Sequence, residues 1–232
     1  MKRIISILLA AVLALSLAAC GRSEIDVSQP ENLATFDEPS YLKSDSGAVE
    51  ESFNVNGRRF NLTLYDFTSK YNAEKQLRGD KDLLTMDKWK KNGQVAKDNN
   101  GVKLQYYYYD DEKSNITATV EVDCEKLVNI GCGTTVSRFT GKENGKNNSD
   151  EILLNTALAA QVVCGYDSSY LNTLQDIFYK TTKIDGNTLY YDGFVFSLST
   201  KQDSGSDKGL MLFRVFPVTQ EHREEWKLTD YE

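Results

Sequence analysis

The chain has 232 residues, with 34 acidic against 27 basic side chains, one histidine and a formal charge of −7. That balance excludes a polybasic nucleic-acid or membrane-surface binder, and one histidine leaves little room for imidazole acid–base catalysis. Thirteen tyrosines and ten phenylalanines suit aromatic-rich strands or a binding face.

At the start, Lys2 and Arg3 precede an apolar run from Ile4 to Ala19 broken only by Ser6 and Ser16. A basic head, an apolar body and small residues at its end make a secretory signal. The run is shorter than the roughly 20 residues that a spanning helix needs. Its last residues, Leu17-Ala18-Ala19-Cys20, resemble the lipobox of bacterial lipoproteins. The resemblance implies that 1–19 is a signal peptide and that Cys20 becomes the first residue, carrying a diacylglycerol. Its acyl chains would hold the protein at a cell membrane on the extracytoplasmic side, since two chains anchor where one does not. Removing Lys2 and Arg3 leaves 25 basic against 34 acidic residues, a charge of −9. Residues 20–50 hold two of the three prolines and no periodic apolar face, and read as a flexible tether.

Beyond the tether, Phe53 to Leu64 alternates about Asn56-Gly57, a hairpin signal. A helical pattern follows from Tyr65 to Leu77, and a second is expected from Lys81 to Lys91. Gly101–Asp110, Asn115–Asp123 and Lys126–Val136 read as strands, the last interrupted by Gly131 and Gly133. A polar loop at Thr140–Asp150 leads to a helix with Leu154, Leu158 and Val162 at helical spacing, stopped at Gly165. The next helix starts at Ser168 or Ser169 and places Leu171, Leu174, Ile177 and Phe178 on one face. Gly186–Thr200 and Gly209–Val218 read as strands joined by the loop 201–209.

Gly101 aligns with Gly186, each followed by leucine three positions on and then by tyrosines, which suggests a tandem duplication with units 51–139 and 140–232. Two helices then antiparallel strands, twice over, is similar in outline to the β-lactamase-inhibitor-protein fold. In that family two such units line up into a concave sheet that grips protein partners. The expected fold class is therefore α+β, an antiparallel sheet with helices packed on one face.

Catalytic signals are thin. His222 stands in a charged tail, where a solvated side chain is expected. Ser40 and Lys43 match a Ser-x-x-Lys pattern but fall in the tether. Asp110-Asp111 and Asp203/Asp207 read as solvated turns rather than paired catalytic carboxylates. The Asp203–Asp207 stretch lacks the bidentate glutamate of a calcium loop. Cys124, Cys132 and Cys164 are an odd number for an oxidising compartment, which allows one pair plus a free thiol or no pair at all, with Cys132–Cys164 the preferred pair. If 123–126 is a turn, Cys132 lies opposite Thr117. No catalytic residue, metal site, cofactor or nucleic-acid partner is expected.

The tyrosines Tyr106, Tyr107, Tyr108 and Tyr109 are the most distinctive surface candidates, joined by Tyr190 and Tyr191. Strand alternation sends one pair of the four under the helices and the other onto the open face. There, tyrosine offers wide contact at low entropy loss. The expected function is a lipid-anchored, non-catalytic binding domain that engages a protein or an envelope polymer. The alternatives are an envelope hydrolase using carboxylates and a structural envelope lipoprotein.

Overall fold

A computed structural model describes residues 48–111, 115–137, 149–184, 186–202 and 208–231. The expected signal peptide, Cys20, the Ser40/Lys43 pair and the Asp203–Asp207 loop lie outside these residues.

Two short strands, β1 (Val49–Glu51) and β2 (Arg58–Phe60), open the domain as an antiparallel hairpin with Val49 opposite Phe60. The predicted hairpin exists, but its strands lie further apart than alternation implied. Residues 52–57 form the loop and Gly57 takes a left-handed φ of 71°. Residues 48–50 thus belong to the domain and not to the tether, because Val49 buries its side chain in the core.

Helix α1 (Leu64–Leu77) begins with a capping box. The Asp66 amide donates to Thr63 Oγ1 at 3.1 Å, and the Thr63 amide donates back to the Asp66 carboxylate at 2.9 Å. The helix expected over 81–91 does not form. Side chains of α1 satisfy that backbone instead: Asn72 bonds both the amide and the carbonyl of Leu84 at 2.7 Å. Lys75 Nζ donates to the Asp82 carbonyl at 2.5 Å. Trp89 then starts strand β3 (Trp89–Lys97), opposite Tyr109. Tertiary partners outweigh local helical pattern here.

Strands β4 (Lys103–Tyr109), β5 (Ile116–Glu121) and β6 (Lys126–Ser137) continue a meander. Helices α2 (Ser149–Cys164) and α3 (Leu171–Thr181) cross the sheet to β7 (Thr188–Tyr191), β8 (Phe194–Gln202) and β9 (Lys208–Pro217). The stretch read as one strand, 186–200, is two. Asp192 (φ 49°) and Gly193 (φ 86°) make a two-residue turn between Tyr191 and Phe194, the Asp-Gly hairpin geometry. The seven strands form one antiparallel sheet in the order β3-β4-β5-β6-β9-β8-β7, so the halves of the chain meet at the β6–β9 pair.

One face of this sheet carries the core. Phe178 of α3 meets Phe196 and Phe213 edge-on at 5.3 and 5.5 Å, and Phe67 of α1 meets Trp89 at 6.4 Å. Helices covering one side of an antiparallel sheet make this an α+β fold, as expected. The halves contribute unequally, one helix with four strands and two helices with three. Gly101 and Gly186 both take a left-handed φ of 81° just before a strand. Yet Leu189 joins the core cluster while Leu104 lies outside it.

All three described cysteines are free, so the expected Cys132–Cys164 bridge is not formed. Cys132 lies opposite Ile116, not Thr117. The β5–β6 turn spans 122–125, and a bulge between Thr119 and Val120 shifts the register beyond it. That shift puts Cys132 in the core. Burial raises its thiol pKa to about 12, and burial likewise pushes Cys164 well up.

Candidate functional site

Alternation along β4 divides the four tyrosines. Tyr109 is buried, edge-on to Trp89 at 5.3 Å, and its hydroxyl accepts the Thr85 amide at 2.8 Å. Tyr107 packs against the same core. Tyr106 and Tyr108 point the other way and remain 44 % and 40 % exposed. Neither candidate tyrosine of the second half is as open. Tyr191 joins a ring cluster with Tyr166 and Tyr231. Tyr190 is on the open side, but the Arg223 guanidinium sits 4.6 Å from its ring centre. Of the six candidate tyrosines, only Tyr106 and Tyr108 therefore form an accessible pair. Tyr107, Tyr109 and Tyr191 face the helices, and Tyr190 is covered.

That cover comes from the C-terminal segment, which sequence reading took for a solvated tail. Thr219 caps a short helix α4 (Gln220–Glu225), and Thr219 Oγ1 and His222 Nδ1 are hydrogen-bonded at 2.6 Å. His222 packs on Trp226 at 5.2 Å. A Cβ placed on Gly57 would lie 2.7 Å from Thr219 and 3.2 Å from His222, so the N-terminal hairpin loop touches α4 closely. His222 is thereby a packing residue at a corner of the open side, where Val195 and Val218 are fully enclosed. Beyond α4 the chain pairs with β7. The Tyr190 amide donates to the Thr229 carbonyl at 2.8 Å and the Tyr231 amide to the Tyr190 carbonyl at 2.9 Å.

At the end of the sheet capped by the hairpin, Glu121 is the open-face carboxylate of β5. It accepts Arg59 at 2.7 Å and Ser52 at 2.6 Å. Arg59 also reaches Glu50 at 2.7 Å. These bonds consume the charge of Glu121 in fastening hairpin to sheet.

Register defines what surrounds the tyrosine pair. Lys90, Tyr108, Thr117, Gly131, Arg214, Ser197 and Thr188 face one another in a continuous row across all seven strands. The adjacent row places Asn92, Tyr106, Thr119 and Asn129 side by side. Gly131 is required at its place: a Cβ there would stand 2.6 Å from the Phe213 carbonyl, 3.1 Å from Arg214 Cγ and 3.2 Å from Thr117 Oγ1. The stem of Arg214 lies over the space that a larger residue would fill. Arg214 makes no ion pair with any described residue.

Sequence reading missed this half of the site. Lys90 was hidden by the helix expected over 81–91, and Asn92 lies just beyond it. Arg214 carried a usable signal, a cation alternating with Met211, Phe213 and Val215, which face the core.

Other clusters are less developed. A shallow cleft of about 460 Å³ runs between α3 and the C-terminal segment, lined by Lys180, Lys183, Leu189, Asp230 and Tyr231. Its charges are already engaged: Lys180 with Asp176 at 3.5 Å and over the Tyr231 ring at 4.4 Å, Asp230 with Arg223 at 2.5 Å. Asp111 of the candidate carboxylate pair is bound by Lys88 at 3.1 Å. Among the described residues no three His, Cys, Asp or Glu side chains gather as metal ligands. No described helix is long and apolar enough to cross a membrane.

Comparison with protein-family models, with curated proteins and with solved structures returns no match. What the chain does has to be argued from its own surface.

Proposed function

We propose that this chain is a lipid-anchored extracytoplasmic binding protein, whose open sheet face docks a partner without chemistry. The exposure of Tyr106 and Tyr108 carries the reading. Two large rings stand about 7 Å apart along one strand, in a sheet that has ample apolar core on its other side. Their neighbours Thr117, Asn129, Gly131, Ser197 and Arg214 give the mixture of rigid aromatic, small polar and guanidinium groups that makes adaptable contacts. Anchoring through Cys20 rests on the Leu17–Cys20 motif. The hydrolase alternative has less behind it, because Asp111 and Glu121 are occupied in ion pairs.

A photo-reactive phenylalanine analogue at position 106 of the full chain, in the envelope of the producing cell, tests the docking surface. The same analogue at Tyr65, exposed on α1, is the control. Cross-linking from 106 and not from 65 is the expected result. Equal products from both sites, or none from 106, would overturn the reading. Metabolic labelling with a fatty-acid probe, abolished by Cys20→Ser, tests the anchor independently.

A further inference from the structure

The open face differs in charge from the rest of the molecule. The chain as a whole is acidic, at −7. Within the strands of its open face the described carboxylate is Glu121, which is neutralised by Arg59 and enclosed beside Ser52; exposed Asp110 stands at the rim, one residue past the end of β4. Among the described side chains of this face, Arg214 on β9 makes no ion pair, and Lys90 on β3 donates to the Asp87 carbonyl at 2.7 Å. The nearby Asp87 carboxylate has a lowered pKa, chiefly through its hydrogen bond to Thr85, and the charges of Lys90 and Lys88 act on it in the same direction.

These two cations belong to one row, four strand intervals apart, with Tyr108, Thr117 and Gly131 between them. At about 4.8 Å per interval the separation is about 19 Å. We infer that the open face, read as the docking surface above, recognises an acidic protein surface. That partner presents carboxylates at two places about 19 Å apart, with an uncharged contact between them.

Spacing selects a protein over an anionic envelope polymer. A polyuronate or polyphosphate carries a charge on every unit, at intervals of about 5 Å. Several of its charges would have to settle, unpaired and stripped of water, on the Tyr108–Thr117–Gly131 floor, and an unpaired charge removed from water is costly. A protein can place carboxylates at the ends and hydroxyls, amides or apolar groups in the middle. Arg214 suits such a carboxylate through its planar fork, while Lys90 supplies a point charge at the rim. Acidic partners also meet less repulsion here than the net charge of the chain, −7, would imply.

The test uses the full chain in detergent and three fluorescent probes, read by anisotropy. One is a peptide with a Glu pair at each end of a five-residue Ser/Thr/Gly/Tyr spacer. The second has the same composition with all four Glu residues adjacent. The third is polygalacturonate. The spaced peptide is expected to bind most tightly and to lose affinity several-fold between 50 and 300 mM salt. Arg214→Glu should weaken it at least tenfold and Lys90→Glu several-fold, while Lys81→Glu, on the loop after α1, leaves it unchanged. Arg214→Gln, which removes the charge with less disturbance of the strand, should fall between. Equal binding of the clustered peptide, or tighter binding of polygalacturonate, would overturn the inference in favour of a polymeric anion. Binding unaffected by the Arg214 and Lys90 variants would overturn it as well. Should none of the probes bind while position 106 still cross-links a partner, the charge argument fails and the docking surface stands. Loss of cross-linking at 106 removes both.

Discussion

Tyr109 and Tyr108 are neighbours in one strand, yet they belong to different worlds. Tyr109 is 3 % exposed, wedged on Trp89 and bonded to the Thr85 amide. Tyr108 is 40 % exposed and faces water between Lys90 and Thr117. The same contrast runs across the sheet, with a continuous apolar cluster on the helix side and, among the described residues, small polar side chains with Lys90 and Arg214 on the other. Identical chemistry at adjacent positions thus serves folding on one face and is free for recognition on the other. What decides is the direction of the pleat and which face the helices cover.

Substitutions on the two faces should separate these roles. Phe178→Ala removes a ring held by Phe196 and Phe213 and fully enclosed. It should cost about 3–5 kcal/mol in denaturant unfolding, the cost of a large cavity. A loss below about 1 kcal/mol would mean that the helices are not packed on the sheet as described.

Gly131→Ala sharpens the comparison, because it lies on the open side and is still constrained. Its methyl group would press on the β9 backbone at Phe213 and on the Arg214 stem. A destabilisation of about 1–3 kcal/mol is expected, with backbone NMR shifts concentrated in β6 and β9. An unchanged spectrum would show that the two strands separate freely.

The C-terminal clasp gives a pH-dependent contrast. Burial first, then the hydrogen bond to Asp176, raises the Tyr231 phenol from 10 to about 12. The docked segment keeps its proton where a released one loses it. Docking is therefore fully favoured below pH 10 and weakens as pH rises through about 12. A difference titration of phenolate absorbance, wild type minus Tyr231→Phe, should be centred near 12; a midpoint at 10 would mean that the segment is undocked.

Smallest in stability are Tyr106→Ala and Tyr108→Ala. Each should change unfolding free energy by less than about 1 kcal/mol, as surface positions do. With the photo-reactive analogue at position 106, Tyr108→Ala should sharply reduce cross-linking to a partner. A large loss of stability would show that the pair serves the fold rather than recognition.

Much of this was legible along the chain. Periodicity marked α1, α2 and α3, and β-branched and aromatic alternation marked β4, β5 and β6, because these elements bury one face and their apolar spacing reports it directly. The tyrosine alternation was readable for the same reason. The Asp192-Gly193 turn was also legible but passed over, since the apolar residues on both sides read as one run. Strand β3 was not legible. Its residues are mostly exposed, so no period records the face it presents, and only pairing with β4 makes it a strand. The role of His222 in the C-terminal clasp was equally hidden, because its partners come from Thr219 and from a hairpin loop far away in sequence.

Local sequence by itself determined α1, α2, α3 and strands β4, β5 and β6, where α1 is capped and that one pair of tyrosines must face away from the core. Those properties depend on neighbours within a few residues, through backbone preference and side-chain period. Tertiary structure alone decided that the two halves share one sheet at β6–β9. It also decided that Cys132 faces the core and that Lys90, Tyr108, Thr117, Gly131 and Arg214 stand in one row. Register between strands distant in sequence sets such rows, and a one-residue bulge is enough to turn every side chain beyond it to the opposite face.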